Sequence, residues 1–466
     1  MEQTQNHVRV AIVGGGIAGL SAAWYLQQQG ETAYALIEQS PRWGGKILTE
    51  VVEGYGDRPF IIDAGPESFV TRKPGALNLA REAGVEYIAS SDETRDIFIL
   101  SKGRPIEVPL KPLPFVTSPI MSPWGKLRMA FEPLVPRKGD DADESLAQFT
   151  SRRLGKEALE KFIGPILGGI YNTNPEEQSI LTTSPIMREL EAQYGSLFWA
   201  LFARMRQARK APPAADGAEK PPRFITFKQG AQSLVDEVVT QLNGRLCLEM
   251  GVQSISRENG GYRLNLTDGA AMTADSVVLA TPANASAAML GDMAPEVAAK
   301  LAQIEHVHIG TISLIFKSED AQTERRMQGL MIPRREKRAI DAVTWTSNKL
   351  PDRSPSDYTL IRVFFGGGQP EIAELSDEEL AATVVRELHD LVGISGQPVE
   401  YRIARWLDSY PQAAVGHLDH VAAIERALPA GVFVTGSSYR GLAVPDCIAQ
   451  GEQSAHAVLE YIADLN

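Results

Sequence analysis

The sequence has little cysteine, no long apolar run and no excess of positive charge. Its two cysteines, Cys247 and Cys447, lie too far apart to suggest a metal site, and two free thiols suit a reducing compartment. No apolar stretch reaches the roughly 18 residues of a membrane-spanning helix, and the first residues lack the basic and apolar segments of a secretion signal. We therefore expect a cytoplasmic protein, and we leave peripheral contact at the inner face of the cell membrane open.

Charge and length narrow the class of protein further. A formal net charge of −12 argues against nucleic acid as a partner, because a phosphate backbone would be repelled. An anionic substrate would need a local basic pocket. The chain of 466 residues is longer than a single growing core allows, which predicts two or more domains.

Residues 8–38 form the pattern around which the chain is organised. A β-branched run ends in glycine, a helical segment follows, and a second apolar run ends at Glu38. This order is typical of a dinucleotide-binding unit, in which the turn and the helix amides hold a pyrophosphate and the acid accepts hydrogen bonds from a ribose. The predicted cofactor-binding residues here are Gly14, Gly15, Gly16, Ile17, Ala18, Gly19 and Glu38. The alternative is a glycine-rich turn in a Rossmann-like fold without a ligand.

A second glycine pair indicates which dinucleotide to expect. Gly44 and Gly45 lie between Arg42 and Lys46, directly after the ribose acid. Two further glycines flanked by cations would let the backbone approach a long, doubly charged cofactor closely. Nicotinamide enzymes have no need of this second pair. The pattern resembles the flavin-containing amine oxidase superfamily, which implies FAD as the ligand of these four residues.

A turn and two cations follow the next predicted strand. Gly65, Pro66 and Glu67 form the turn, which we expect beside the cofactor. Arg72 and Lys73 come next and would bring positive charge to the flavin and the substrate. Surface charges in solvent are the alternative for these two cations.

Residues 109–210 have the character of helices interrupted by prolines. The segment 194–209 is amphipathic, with apolar residues on one stripe and arginines near its end. A helix on a membrane surface has this pattern, and so has a core helix whose basic end complements the macrodipole. Both interpretations stay open. The proline-rich residues 211–222 predict a flexible loop.

The chain then returns to the nucleotide-binding unit. Val252 lies at a predicted strand edge that suits an adenine, and Thr281 follows an apolar strand in a turn expected close to the cofactor. A later strand stops at Gly436, and a helix begins after Ala443 and Val444. Its amides would face the N1 and C2 carbonyl side of a flavin.

Motifs along the whole chain resemble the bacterial protoporphyrinogen/coproporphyrinogen oxidase family. They are residues 63–69 with Arg72 and Lys73, residues 169–171, residues 344–346 with Lys349, residues 405–411 with Gly416 and His417, and residues 444–448. The resemblance implies an oxygen-dependent FAD enzyme of haem biosynthesis that removes six electrons from a porphyrinogen in three two-electron steps. It favours coproporphyrinogen III, with protoporphyrinogen IX as the alternative, and it implies hand-off of the porphyrin to a ferrochelatase.

The same resemblance implies the substrate-binding residues. A large apolar macrocycle with carboxylate side chains needs a pocket that is apolar in the middle and basic at its edges. The expected substrate-binding residues are Lys73, Arg72, Ile166, Gly169, Tyr171 and Trp345, and Trp406 is expected at the cofactor. For the two tryptophans, a place in the core of the second sheet is the alternative. No catalytic base is compelling, because His417 is more typical of a structural histidine that caps a turn, and no metal is expected.

The expected architecture combines the α/β and α+β classes. A Rossmann-like FAD-binding domain is built from residues 1–75, 223–290 and 420–466, and an antiparallel-sheet substrate-binding domain from residues 76–108 and 291–419. A helical subdomain, open to membrane contact, occupies residues 109–210. The oligomeric state stays open. Two alternatives share the scaffold: an amine oxidase or carotenoid desaturase, whose pocket would lack basic edges, and a flavin-free binding protein of the Rab escort type, which would be colourless.

Overall fold

The protein is described here from a computed structural model. It covers residues 6–90, 96–109, 111–171, 173–210, 222–323 and 326–465, without the side chains of residues 112, 170, 171 and 208–210. The loop predicted at residues 211–222 lies outside these ranges except for Pro222. Strands and helices are numbered along the chain.

A mainly parallel sheet of seven strands forms the first domain. Its strands are β1 (His7–Val13), β2 (Tyr34–Ile37), β10 (Arg245–Cys247), β11 (Val252–Glu258), β12 (Gly261–Leu266), β13 (Ala271–Leu279) and β19 (Val432–Val434). The order is β10, β2, β1 and β13, with the antiparallel β11–β12 hairpin beside the start of β13 and β19 beside its end. The parallel strands are almost continuously apolar, because helices bury both of their faces.

Helices cover both faces of this sheet. One face carries α1 (Ile17–Gln28), α2 (Gly75–Ala83), α11 (Gln232–Gln241) and α17 (Val444–Asp464), and the other carries α12 (Ala283–Leu290), α13 (Pro295–Leu301) and α16 (His417–Ala427). Helices α1 and α17 cross so closely that a Cβ on Gly451 would lie 2.5 Å from the Ala18 carbonyl oxygen. The predicted Rossmann-like architecture is confirmed.

Helix α2 packs in the first domain, whereas the predicted domain boundary assigns residues 76–108 to the substrate domain. Its residues Leu77, Leu79 and Ala80 are buried in the core of the first domain with α11 and α17. The small sheet of β5 (Phe69–Val70), β9 (Phe224–Phe227) and β6 (Tyr87–Ala89) shares this core. Helical periodicity shows that α2 has an apolar face, but it does not show which domain covers that face.

A second sheet of seven strands forms the other domain. Its order is β18 (Glu400–Pro411), β14 (His306–Lys317), β17 (Tyr358–Phe365), β16 (Ala342–Trp345), β15 (Gly329–Met331), β7 (Ile97–Ser101) and β8 (Arg104–Glu107). All neighbours are antiparallel except β15 and β7. Helix α15 (Asp377–Val392) starts at a Ser376–Glu379 capping box and buries one face of the sheet. The hairpin of β3 (Thr49–Val52) and β4 (Phe60–Asp63) packs on the opposite face, and α14 (Thr346–Lys349) follows β16.

Short helices make up the helical region, residues 109–210, which lies between two segments of the first domain. They are α3 (Pro112–Thr117), α4 (Pro123–Ala130), α5 (Leu146–Arg153), α6 (Lys156–Ala158), α7 (Gly164–Tyr171), α8 (Ile180–Thr183), α9 (Pro185–Tyr194) and α10 (Leu197–Lys210). A π-helical turn at Leu159–Ile163 joins α6 to α7, and 3-10 helices occur at Glu132–Leu134, Arg334–Glu336 and Pro370–Glu374. Buried ion pairs hold the helices together, with Arg153 bound to Glu132 and Arg152 bound to Glu191.

Candidate active site

The carboxyl ends of the parallel strands meet at one edge of the first sheet. Three backbone hydrogen bonds continue the sheet past the strand ends: Gly14 N to Ile37 O (2.8 Å), Ala280 N to Val13 O (2.8 Å) and Thr435 N to Leu279 O (3.0 Å). The loops after four strands are therefore held side by side. Ligands of open parallel sheets bind at this edge.

The first glycine loop fits a groove that a larger side chain would close. Gly14 has a φ of +108°, and a Cβ there would lie 2.7 Å from Ala280 O. A Cβ on Gly19 would lie 2.0 Å from Gly14 O, so the helix can approach the loop only without a side chain. A Cβ on Gly16 would meet none of the described residues within 4 Å, and its backbone therefore faces open space.

Glu38 lies beside this loop at the end of β2. Its carboxylate accepts from the backbone N–H of Gly15 (2.7 Å) and of Ser40 (2.8 Å), one on each oxygen. Each carboxylate oxygen keeps a further lone pair. The geometry therefore allows Glu38 to shape the glycine loop and still accept from ribose hydroxyls.

The second glycine pair builds a turn directly on the first. Gly44 N donates to Gly15 O (2.8 Å), and Gly44 and Gly45 have φ values of +106° and +57°, where glycine is favoured. Arg42 stabilises this turn, because its guanidinium donates to the carbonyl oxygens of Gly45 (2.5 Å) and Ile47 (2.9 Å). In the structure Arg42 therefore contacts the backbone of its own turn.

Lys46 extends from the same turn. Its ammonium has no hydrogen bond or ion pair among the described residues. Burial lowers the pKa of Lys46, because a charge is costly away from water. An anionic ligand group in the groove would compensate this charge.

The turn at residues 64–67 packs against the Lys46 turn. A Cβ on Gly65 would lie 1.9 Å from Lys46 O, so only glycine fits. Glu67 is 6% exposed and accepts from Lys349 Nζ (2.6 Å) and Arg362 Nη1 (3.3 Å). Burial by itself raises the pKa of Glu67, but Lys349 and Arg362 outweigh it and lower the pKa to about 2. Glu67 therefore binds the second domain, and Gly65 lies nearer the groove.

Gly436 and the start of α17 lie at the other end of the edge. Gly436 has a φ of +115°, and among the described residues a Cβ there would meet only Ala18 Cβ, at 3.5 Å. Ala443 is the N-cap of α17 and Val444 is its first residue. The first amides of a helix have no partner within the helix and can bind an electron-rich group.

Val252 and Trp406 lie in two different strands, and Thr281 follows a third. Met250 N donates to Glu38 O (2.9 Å), which places Val252, two residues later, near the ribose acid. Thr281 follows β13 at the sheet edge, and Trp406 lies in β18 of the second sheet.

The second sheet turns the face opposite α15 toward this edge. Alternation along the strands puts one row of paired residues on that face: Thr311, Phe364, Ala342 and Met331. Thr311 Oγ1 donates to Ala64 O (2.8 Å), so the sheet meets the turn at residues 64–67. A Cβ on Gly169 of α7 would lie 3.5 Å from Met331 Sδ. We call the region bordered by this sheet face, the turn and α7 the cleft.

Of the predicted substrate-binding residues, Ile166 and Gly169 lie at the cleft and Trp345 lies in the core of the second domain. Ile166 packs in the same apolar cluster as Met331, and Gly169 is exposed beside it. Tyr171 ends α7, and its side chain lies outside the described part of the structure. Trp345 is 2% exposed in the core beneath α15, because the alternation of β16 sends its neighbour Thr344 to the cleft face instead.

The two predicted cations and the histidine have distinct surroundings. Lys73 Nζ forms an ion pair with Asp446 in the first turn of α17 (2.7 Å), while Arg72 is exposed. His417 Nε2 lies 2.7 Å from Tyr439 O, and burial lowers the pKa of this imidazole. A buried, neutral and hydrogen-bonded His417 is suited to a structural role.

Comparison with known proteins shows the family. The family profile described as flavin containing amine oxidoreductase matches residues 17–459. The chain belongs to this family. The coproporphyrinogen III oxidase of Bacillus subtilis (strain 168) is 33% identical, and that of Staphylococcus aureus (strain NCTC 8325 / PS 47) is 32% identical. Each alignment covers 97% of this chain and 98% of the relative.

A solved structure agrees with this assignment. The crystal structure of an Exiguobacterium sp. 255-15 protein, provisionally assigned as a protoporphyrinogen oxidase, has a TM-score of 0.83 and 28% identity. The match covers 98% of this chain and 99% of that one. The predicted membership of the bacterial protoporphyrinogen/coproporphyrinogen oxidase family is confirmed, and the protein is a flavin-dependent oxidoreductase.

FAD is the cofactor of this flavin-dependent oxidoreductase, and the residues at the sheet edge fit it. Gly16 and Gly436 leave open space where side chains would otherwise stand. The ammonium of Lys46 lacks a counter-ion among the described residues, as a site for an anionic cofactor requires. Glu38 offers the acceptor for a ribose. At the start of α17, Pro445 has no N–H and Asp446 N donates to Ala443 O (2.8 Å), which leaves the backbone N–H of Val444 without a partner among the described residues.

Several residues of the cleft have no sequence motif of their own. Thr311, Phe364, Arg362 and Met331 reach it only through the alternation and register of the second sheet. From the sequence, the alternation along each strand could have predicted which residues share a face. It could not have shown which face α15 covers.

Two kinds of feature are absent from the described residues. No group of three or more His, Cys, Asp and Glu side chains in the described ranges is arranged to hold a metal ion. Within the same ranges, no helix is both long and apolar enough to cross a membrane.

Proposed function

We propose that this protein oxidises coproporphyrinogen III to coproporphyrin III, with protoporphyrinogen IX as the alternative substrate. The relatives at 33% and 32% identity bear the first name, and they align over nearly their whole length. The cleft supports the proposal: Phe364, Met331 and Ile166 give it apolar surface, and Lys73 pairs with Asp446 at the start of α17, which follows the sheet edge. This combination suits an apolar macrocycle with carboxylate side chains.

The chain's own residues would mainly bind and orient the substrate. Phe364, Met331 and Ile166 offer apolar surface to the macrocycle, and Gly169 lets it approach the backbone of α7. Lys73 would exchange Asp446 for a substrate carboxylate. When bound, FAD supplies hydride acceptance from a meso carbon, and the pyrrole protons leave to water or a backbone carbonyl.

Porphyrin fluorescence tests the proposal. Purified aerobic protein is mixed separately with coproporphyrinogen III and with protoporphyrinogen IX, against an autoxidation blank. Faster production of coproporphyrin supports the proposal, and faster production of protoporphyrin supports the alternative. A yellow protein that exceeds the blank with neither substrate contradicts both.

Molecular oxygen is the proposed electron acceptor. Removal of six electrons in two-electron steps requires three oxygen molecules and yields three molecules of hydrogen peroxide per porphyrin. A peroxide-coupled assay should therefore give a ratio of three. A much lower ratio under air would point to another acceptor.

The helical region is proposed to touch an anionic membrane surface. Of the sixteen described large apolar side chains that are exposed, eleven belong to this region: Leu113, Val116, Trp124, Leu127, Phe131, Leu134, Phe198, Trp199, Leu201, Phe202 and Met205. Residues 109–210 hold 14 Lys and Arg against 11 Asp and Glu, although the whole chain has a net charge of −12. An apolar surface with surplus positive charge suits anionic lipid.

Contacts within the region bring parts of this surface together. Glu132 lies between Phe131 and the exposed Leu134, and its carboxylate accepts from Leu197 N (3.0 Å) and Phe198 N (3.3 Å) at the start of α10. Trp199 and Phe202 are in edge contact, with ring centroids 6.5 Å apart.

Vesicle co-sedimentation tests the membrane contact. The protein should sediment with phosphatidylglycerol vesicles and less with phosphatidylcholine vesicles, and the double variant Trp199→Ser/Phe202→Ser should lose most of the binding. Leu407→Ser, an exposed apolar residue of the second sheet, serves as the control. Equal sedimentation of the double variant and the control would contradict the proposal.

A ferrochelatase is the proposed recipient of the porphyrin, because a large apolar product is released unfavourably into water. Adding a ferrochelatase without metal should increase turnover where product release limits the rate. Albumin serves as the control. An equal effect of both proteins would indicate simple product binding.

A further inference from the structure

An ion cluster joins the turn at residues 64–67 to the second domain. Glu67 of the turn accepts from Lys349, the last residue of α14, and from Arg362 of β17. Arg362 also donates from Nη2 to the carbonyl oxygens of Ala64 (2.8 Å) and Gly65 (2.5 Å). Two cations of the second domain thus bind the Glu67 side chain, and one of them also binds the backbone of this turn of the first domain.

This turn packs against the second glycine turn, which itself packs against the first glycine loop. Gly65 packs on the carbonyl oxygen of Lys46, and a Cβ on Gly45 would lie 3.2 Å from Gly16 Cα. The path from Arg362 to the first glycine loop therefore runs through two tight turns. Both turns are packed too closely to move independently.

The cluster also carries an unbalanced charge. Lys349 and Arg362 are cations, and Glu67 is the single carboxylate bound to both. Arg362 is 4% exposed and lies 4.6 Å from the centroid of the Phe364 ring, which faces the cleft. One net positive charge thus lies between the cleft and the Gly65 turn. The Lys349 side chain is 28% exposed, but Arg362 and Glu67 are buried, where solvent screens charge poorly.

We propose that Lys349 and Arg362 are positioning residues that act through Glu67, fixing the Gly65 turn and setting the reduction potential of the flavin by one net positive charge. Reduced flavin gathers negative charge, and a fixed cation nearby favours that form. The second domain thus contributes to the redox properties of a cofactor bound by the first. The proposal rests on the proposed function in that the cluster serves porphyrinogen oxidation.

The test measures the flavin midpoint potential of the purified holoenzyme by dye-coupled reduction without porphyrinogen. Lys349→Met removes a cation and should shift the potential to more negative values. Glu67→Gln removes the anion and should shift it to more positive values. A purely structural contact would give no shift or shifts of one sign.

A conservative variant and a matched control accompany these measurements. Lys349→Arg should restore the wild-type potential. Arg338→Met removes an ion pair of similar length with Glu387 (2.6 Å), on the α15 side of the second sheet, and should leave the potential unchanged. Flavin reduction by porphyrinogen in the absence of oxygen should be about tenfold slower in Lys349→Met, because small displacements of reacting groups are costly.

Opposite shifts in Lys349→Met and Glu67→Gln support the proposal. Unchanged potentials, shifts of the same sign, or an equal shift in Arg338→Met overturn it. If Lys349→Met gives no folded holoenzyme, Lys349→Gln replaces it, and equal potentials of Lys349→Gln and Lys349→Arg overturn the proposal. The potentials decide this inference even if the wild type oxidises no porphyrinogen, so its failure is distinguishable from failure of the proposed function.

Discussion

Glu38 serves its own loop as well as the expected ribose. Glu38→Ala removes the acceptor of Gly15 N and Ser40 N together with the cofactor contact. We expect FAD affinity to fall more than about tenfold, since a charge-assisted hydrogen bond is worth roughly 1.5–3 kcal/mol. The ratio of flavin to protein absorbance after purification measures the effect.

Glu31→Ala is the control for this substitution. Glu31 is a buried acid of the same unit, and it accepts from Ala33 N (2.8 Å) and pairs with Arg9. Flavin content should stay near wild type in Glu31→Ala. Full flavin content in Glu38→Ala would remove the ribose role.

Lys73 is expected to bind a substrate carboxylate at the flavin edge. Lys73→Ala should raise the KM for coproporphyrinogen III by about tenfold, as expected for one charge-assisted hydrogen bond, and lower kcat less. Arg72→Ala, which changes the neighbouring exposed cation, should have the smaller effect. Steady-state fluorescence assays give both constants, and an unchanged KM in Lys73→Ala would mean that the lysine serves only Asp446.

The residues show how far sequence reasoning extends. Gly14, Gly19 and Glu38 belong to one short unit, so their spacing is enough to predict their arrangement. Trp345 is different, because its position depends on which face of β16 is covered by α15, a helix more than thirty residues later in the chain. Arg362 likewise reaches Glu67 only through the folding of two domains together.

Among the helices, α9 depends on a buried carboxylate. Glu191 is fully buried and bound to Arg152 (2.6 Å) and Arg188 (2.7 Å). Burial raises its pKa, but the two arginines outweigh burial and lower the pKa to about 2. Because this value lies below the ordinary 4.5, Glu191 stabilises the fold fully above that pH and progressively less as the pH falls toward 2.

Glu191→Gln should therefore reduce the free energy of unfolding by about 3 kcal/mol at pH 7, as for other broken buried ion pairs. The variant should also lose less stability than wild type between pH 5 and pH 3, a range set by the depressed pKa. Urea unfolding across this range measures both effects. Glu189→Gln changes an exposed acid of the same helix and should match wild type; equal stability of the two variants would contradict the prediction.

Cofactor and protein are expected to stabilise each other in the whole molecule. FAD contacts are predicted from three separate parts of the first domain, and the second domain holds the Gly65 turn. Removing FAD should lower the unfolding free energy by about 3 kcal/mol, the gain expected at a hundredfold excess of ligand over its Kd. Thermal unfolding of holoprotein and apoprotein, with FAD added back, measures this change, and identical Tm values would contradict it.

The order of the strands has a consequence for biosynthesis. Strand β13 ends at Leu279, but its neighbour β19 begins only at Val432, and α17 follows it. A nascent chain on the ribosome therefore exposes one side of the end of β13 while strands β14 to β18 of the second sheet are being synthesised. Such an unpaired edge is a hazard for aggregation. The flavin edge is complete only when β19 has paired, so the enzyme acquires its colour late, and a chaperone that shields β13 until then would raise the yield of yellow protein.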